Sequence, residues 1–140
     1  MKGAFNVLAF DFGARYIGVA TGDSETRIAH ALASLEAKSG SARMAAIEPL
    51  VREWRPQRLV VGLPLSLDGA EQEMSGRARR FARQLQARFG LPVELVDERL
   101  SSAAAEEGLR GAGRGGRKHK QLVHGEAARI ILQDYLDEIA

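Results

Sequence analysis

Phe5-Asn6-Val7-Leu8-Ala9-Phe10-Asp11-Phe12-Gly13-Ala14-Arg15-Tyr16-Ile17-Gly18-Val19-Ala20 is the stretch on which the fold turns. Its first half is a short, nearly continuous apolar run, the pattern of a strand buried on both faces. Asp11 closes that run. A carboxylate there loses hydration unless a cation or hydrogen-bond donors compensate. A divalent metal is the simplest compensation. The plainer reading is an Asp that begins a turn, since Asp is common before Gly. Gly13-Ala14 is a turn signal, and Arg15 to Thr21 reads as a second strand, so the two runs form a hairpin.

Working outward, Ile28–Leu35 reads as a third strand after the polar turn at 22–25. Ser41 begins a helical pattern with Met44, Ile47, Val51 and Trp54 on one face, and Pro49 is expected to kink or interrupt it. Arg58–Leu63 is a β-rich run stopped by Pro64. Asp68-Gly69-Ala70-Glu71 resembles a capping box. The helix it opens carries Met74, Ala78, Phe81, Ala82, Leu85 and Phe89 on one stripe, and Gly90 ends it. Val93–Asp97 is the next strand. Ser101 or Ser102 caps a short helix to about Arg110. Residues 111–120 contain no large apolar side chain and read as a mobile basic loop. A last helix over about 121–138 sets His124, Ala128, Ile131 and Tyr135 on one face.

This order predicts a single α/β domain over 1–140. Its mixed five-stranded sheet has an antiparallel meander plus two parallel strands, with helices on both faces. Ligands in such sheets gather at the carboxyl ends of parallel strands. Asp11 ends one such strand and Glu98 lies just beyond another, so the two carboxylates are expected to converge on one sheet edge.

Composition narrows the function. No apolar stretch is long enough to span a bilayer, and no signal peptide pattern opens the chain, so a cytoplasmic protein with no membrane partner is the expectation. The absence of cysteine removes disulfides, thiolate metal sites and thiol nucleophiles. The net charge of +2 conceals segregation: residues 77–120 carry 11 Lys/Arg against 5 Asp/Glu. A basic middle segment suits a polyanionic partner, although a solvated arginine-rich helix face would look the same.

Together these pieces resemble the YqgF/RuvX family of the ribonuclease-H-like superfamily. The matching motifs are Asp11-Phe12-Gly13 with Arg15 and Ile17-Gly18-Val19-Ala20; Val60-Val61-Gly62-Leu63-Pro64 with Asp68-Gly69; Asp97-Glu98-Arg99-Leu100-Ser101; and Ala127-Ala128 through Ile131-Leu132 and Tyr135-Leu136. The resemblance runs from about residue 5 to 138. Members are described as Holliday junction resolvases and as nucleases that process the 5′ end of precursor 16S ribosomal RNA. The resemblance implies a ribonuclease-H-like fold and hydrolysis of phosphodiester bonds assisted by Mg²⁺ or Mn²⁺. Two such ions can stabilise the attacking and leaving oxygens together, and hard ions want oxygen ligands.

On that resemblance Asp11 is the central metal ligand and Glu98 the second. Asp97 is the alternative to Glu98, because neighbours on an extended chain point oppositely. The third position departs from the family. Relatives have Val-Asp near the start of the last helix, and here Val123 is followed by His124. Imidazole suits Mn²⁺ better than Mg²⁺. His124 thus reads as a metal ligand, a proton shuttle or a buried structural histidine, with Glu126 as a substitute ligand or the site weakened. Arg15 stands where the family keeps a basic residue, to hold a phosphate or pair with a carboxylate. Arg77, Arg80 and Arg83 suggest a basic helix face. Arg114, Arg117, Lys118 and Lys120 belong to the basic segment before His124. Such segments beside an acidic cleft track a phosphate backbone. The expected partners are precursor rRNA or branched DNA, with the ribosome a further candidate and the oligomeric state, monomer or homodimer, open. A catalytically weakened nucleic-acid-binding assembly factor is the alternative. The Asp-x-Gly hairpin also opens actin-like ATPases, but those need a second such domain and this chain holds one.

Overall fold

The computed structural model describes residues 3–64, 68, 70, 72–97 and 116–139, with 116–122 described by backbone alone. Strands β1 (Asn6–Phe12), β2 (Tyr16–Asp23), β3 (His30–Glu36), β4 (Arg58–Leu63) and β5 (Val93–Asp97) form one sheet in the order β3-β2-β1-β4-β5. The β1, β2 and β3 strands are the antiparallel meander, and β4 and β5 run parallel to β1. This is the mixed five-stranded sheet expected from the order of the elements.

Side-chain alternation along β1 divides the interior into two layers. Leu8, Phe10 and Phe12 pack with Met44 and Ile47 of α1 (Gly40–Trp54) and with Ala78, Phe81 and Leu85 of α2 (Glu73–Phe89). Val7 and Ala9 point the other way. They pack with Ala128, Ile131, Leu132 and Leu136 of α3 (Gly116–Glu138). Helices therefore cover both faces. Asp11 shares the parity of Val7 and Ala9, so its side chain belongs to the α3 face.

The helix ends depart from the sequence pattern in places. Ser39 caps α1, its Oγ accepting from the Ala42 N–H at 3.2 Å. The helix continues through Pro49 without a break. Proline deprives the Ala45 carbonyl of its donor, but both residues are exposed and water can serve that group. The α2 helix starts later than the Asp68 signal predicts. Its cap is Gln72: the Gln72 N–H donates to Ser75 Oγ at 2.8 Å, and the Gln72 side chain accepts from the Ser75 N–H. Asp68 instead closes a local turn, accepting from the Ala70 N–H at 3.0 Å. The last helix begins at Gly116 rather than near 121, so 116–120 are helical rather than loop. Arg and Lys are good helix formers without being apolar, and apolar periodicity cannot see them. The short helix expected from 101 to 110, and residues 111–115, lie outside the described residues.

A polar brace ties α3 to the parallel strands. Arg58 Nη1 donates to Tyr135 Oη at 2.9 Å, and that hydroxyl donates to Glu94 Oε2. Nearer the middle of α3 the helix backbone lies directly on β2. A Cβ added to Gly18 would stand 1.8 Å from the carbonyl oxygen of His124 and 2.9 Å from the nitrogen of Gly125. Gly125 has room by contrast, with nothing closer than 3.7 Å to an added Cβ.

The two glycines predict opposite outcomes. Gly18→Ala forces α3 off the sheet and should cost about 3 kcal/mol or more, lowering the thermal midpoint by roughly 10 °C. Gly125→Ala should be neutral or stabilise by up to about 1 kcal/mol, since glycine is a poor helix former. Thermal denaturation of both variants checks the pair.

Candidate active site at the carboxyl end of β1

Asp11 is the penultimate residue of β1, and its register partner across the hairpin is Gly18. It is only 4% exposed. The α3 helix rests on Gly18, which brings His124 to the same level of the sheet. His124 Nδ1 lies 3.0 Å from Asp11 Oδ2. Among the described residues the Asp11 carboxylate makes no other hydrogen bond. The imidazole sits over the turn of the hairpin. A Cβ at Gly13 would come within 3.0 Å of His124 Cε1 and 2.6 Å of the Tyr16 carbonyl oxygen. The Tyr16 ring flanks the imidazole, with centroids 5.7 Å apart and planes tilted by 31°. Two of the three groups expected to converge therefore meet, across more than a hundred residues of sequence.

The remaining sequence-derived candidates are placed as follows. Glu98 and Arg114 lie outside the described residues. Asp97 ends β5, exposed, and pairs with Leu63, whose side chain packs in the α1 and α2 layer. That is the parity opposite to Asp11. Glu126 is held by Arg129, whose Nε and Nη2 donate to its two carboxylate oxygens at 2.5 and 2.9 Å. This bidentate bond raises the Arg129 pKa and occupies Glu126 away from Asp11. Arg15 Nε donates to Glu36 Oε2 at 2.8 Å, and its guanidinium lies 5.4 Å from the Tyr16 ring centre. Of the two roles expected for it, this is the carboxylate pairing. Arg77 and Arg80 are exposed on α2, in the layer across the sheet from His124. Arg117, Lys118 and Lys120 fall in the first turns of α3. Sequence reasoning misses Tyr16; its place directly after Arg15 in the hairpin is the one signal that could have found it.

Can this place hold a divalent ion? Among the described residues no three His, Asp or Glu side chains gather as a ligand set. The pair that is present fits part of one. Two cis ligands, each about 2.1 Å from an octahedral ion, stand about 3.0 Å apart. The 3.0 Å between Asp11 Oδ2 and His124 Nδ1 suits that spacing as well as it suits a hydrogen bond. A carboxylate with an imidazole is a donor set that favours Mn²⁺ over Mg²⁺.

The family model "RuvX: Holliday junction resolvase" matches residues 5–138. The chain belongs to the RuvX family. A relative from Methylobacillus flagellatus, named "Putative pre-16S rRNA nuclease", is 50% identical over 134 residues, covering 96% of this chain and 92% of that one. One of the same name from Thiobacillus denitrificans is 51% identical over 131 residues, covering 94% and 90%. The RuvC protein of T. thermophilus in complex with a Holliday junction superposes with a TM-score of 0.57 at 16% identity, covering 96% of this RuvX-family chain and 95% of its own. That likeness establishes the ribonuclease-H-like fold. No helix among the described residues is long and apolar enough to cross a membrane.

The Asp11–His124 contact predicts a coupling. His124→Ala leaves a buried carboxylate without its partner and should destabilise by about 1–3 kcal/mol. Adding Asp11→Asn should recover part of that loss, so the two changes are not additive. Denaturant unfolding of the two single variants and the double variant at pH 7 measures it. Strict additivity would show that the contact carries no energy.

Proposed function

We propose that this RuvX-family chain is a divalent-metal-dependent nuclease that processes the 5′ end of precursor 16S ribosomal RNA. The observation that carries the reading is the buried Asp11 carboxylate with His124 against it, at the carboxyl end of the central strand. The names of the curated relatives favour ribosomal RNA over a four-way DNA junction as substrate. Asp11 and His124 would hold the ion, with Glu98 as the further carboxylate and Asp97 its alternative. When bound, the ion supplies charge neutralisation for the phosphodiester and an acidified water. The chain's own contribution is position. The Gly18 notch fixes how deep α3 sits and so where the imidazole meets the carboxylate. Tyr16 walls the imidazole on one side, and Arg15 adds positive charge outside it. Basic residues Arg77, Arg80, Arg114, Arg117, Lys118 and Lys120 would bind the phosphate backbone, giving recognition by charge and shape.

A second reading has its own observation. The third family carboxylate is replaced here by His124, which suits a weakened site retained for RNA binding in ribosome assembly. Metal dependence separates the two. A panel of precursor rRNA end, single-stranded RNA and four-way junction, each with Mg²⁺ and with Mn²⁺, should show cleavage of the precursor, faster with Mn²⁺. His124→Asp should move the preference toward Mg²⁺. Asp11→Asn should slow cleavage at least about a hundredfold, or about 2.7 kcal/mol of barrier, while RNA binding persists. Undiminished cleavage by Asp11→Asn overturns the catalytic role of Asp11, and cleavage in EDTA overturns the metal dependence. RNA binding without hydrolysis in either metal establishes the second reading.

A further inference from the structure

Across the sheet from Asp11, the Phe12 ring lies under a cluster of arginines. The Arg43 guanidinium of α1 sits 4.9 Å from its centre and that of Arg77 of α2 5.8 Å from it. Arg43 is only 9% exposed. Its Nη2 donates to the Ala14 carbonyl at 3.2 Å, while its Nε is buried without a hydrogen-bond partner. No carboxylate among the described residues pairs with Arg43, Arg77 or Arg80. Burial, with Arg77 alongside, pushes the Arg43 pKa down. Unpaired buried charge is costly, and an anion bound beside it would offset that cost.

The space for that counter-charge exists. A cavity of about 180 Å³ is lined by Phe12, Gly40, Arg43, Arg77, Arg80, Phe81 and Gln84. Every charged residue among the described residues of its wall is an arginine. Gly40 is the first residue of α1, so the positive end of that helix adds to the field. Gln84 brings its side-chain amide close to Gly40. The volume is below the ~300–1,000 Å³ of pockets that enclose a small molecule. It suits one phosphate group whose remaining substituents lie outside.

We propose that Arg43, Arg77, Arg80 and Gln84 form an oxyanion pocket that takes a backbone phosphate of the nucleic-acid strand. The inference rests on the nucleic-acid reading above and gives that reading a second point of attachment. Asp11 and Phe12 are consecutive residues at the end of β1. A strand that crosses this sheet edge meets Asp11 on one face and the arginine pocket on the other. The pocket thus fixes the register of the strand relative to the reacting phosphate without reading its bases.

The test is independent of cleavage. Binding of a 20-nucleotide single-stranded RNA to the full chain carrying Asp11→Asn is measured in EDTA over a range of salt. Adding Arg77→Gln and Arg80→Gln, both exposed positions, should weaken binding about tenfold or more. The dependence of log K on log salt should become shallower by about 0.7 for each phosphate no longer neutralised. Arg52→Gln, an exposed residue near the far end of α1 paired with Glu48, should change affinity less than twofold. The Arg43 Nε–H resonance should shift with the RNA, and with inorganic phosphate at higher concentration, and should respond to neither in the double variant. Equal weakening per charge removed in the Arg52 and Arg77/Arg80 variants overturns the proposal, as does an Arg43 resonance indifferent to both probes. A shift with phosphate but no selective fall in RNA affinity also overturns it, marking a small-anion pocket instead. Failure of the nuclease assignment alone would leave these binding results intact.

Discussion

The close approach of the α3 backbone to Gly18 is the constraint on which the site depends. Gly18 is the register partner of Asp11, so the gap left by its missing side chain lies beside the carboxylate. The helix enters that gap with the peptide of His124, and the imidazole is thereby set at the depth of Asp11. One hairpin provides most of what surrounds the contact. It supplies the carboxylate, the notch at Gly18, the floor at Gly13 and the Tyr16 ring against the imidazole. The partner arrives from the other end of the chain, held at its far end by Tyr135 between Arg58 and Glu94. The local hairpin thus defines the place, and long-range helix docking completes it.

Much of the sheet was legible because its strands are marked twice, by apolar residues and by stops. The β4 and β5 strands fell where Pro64, Gly90 and Pro92 bound them. The starts of α2 and α3 were not legible, for different reasons. At α2 the Asp68-Gly69 pair carries a strong turn signal, and its turn is real, but the cap is made four residues later by Gln72 with Ser75. Reciprocal capping by Gln is a weaker sequence signature than Asp or Ser. At α3 the first turns hold Gly116, Arg117, Lys118, His119 and Lys120. The basic residues among them favour helix without displaying an apolar face. Pro49 failed to break α1 because the carbonyl it leaves without a donor is on the exposed side.

The chemistry-bearing residues show the same division. Asp11 was legible as a charge at the end of an apolar strand. Arg43 carried the same kind of signal, standing one helical turn before Ile47 and next to Met44 on the buried stripe of α1. An arginine on such a stripe reads easily as a long side chain reaching for water. Only the packing of α2 against α1 shows that its guanidinium stays inside. Arg15 offered two partners from sequence, phosphate or carboxylate, and the carboxylate it meets here is Glu36 across the β2–β3 pair.

An anionic strand must be drawn to a carboxylate, which repels it. A bound divalent ion would change the sign at one point, but it would act over a short range in salt, where the screening length is about 8–10 Å. The arginines under Phe12 are fixed charges with no competing carboxylate among the described residues, and they stand at the same sheet edge. A strand held there would already be beside Asp11. Because Arg43 is buried and anchored to the Ala14 carbonyl of the same hairpin that carries Asp11, the two faces of that edge are mechanically one unit. Any shift of the turn at Gly13-Ala14 would displace Arg43 and the imidazole floor together. On the proposed reading, attraction and chemistry would thereby be linked through the few residues that join β1 to β2.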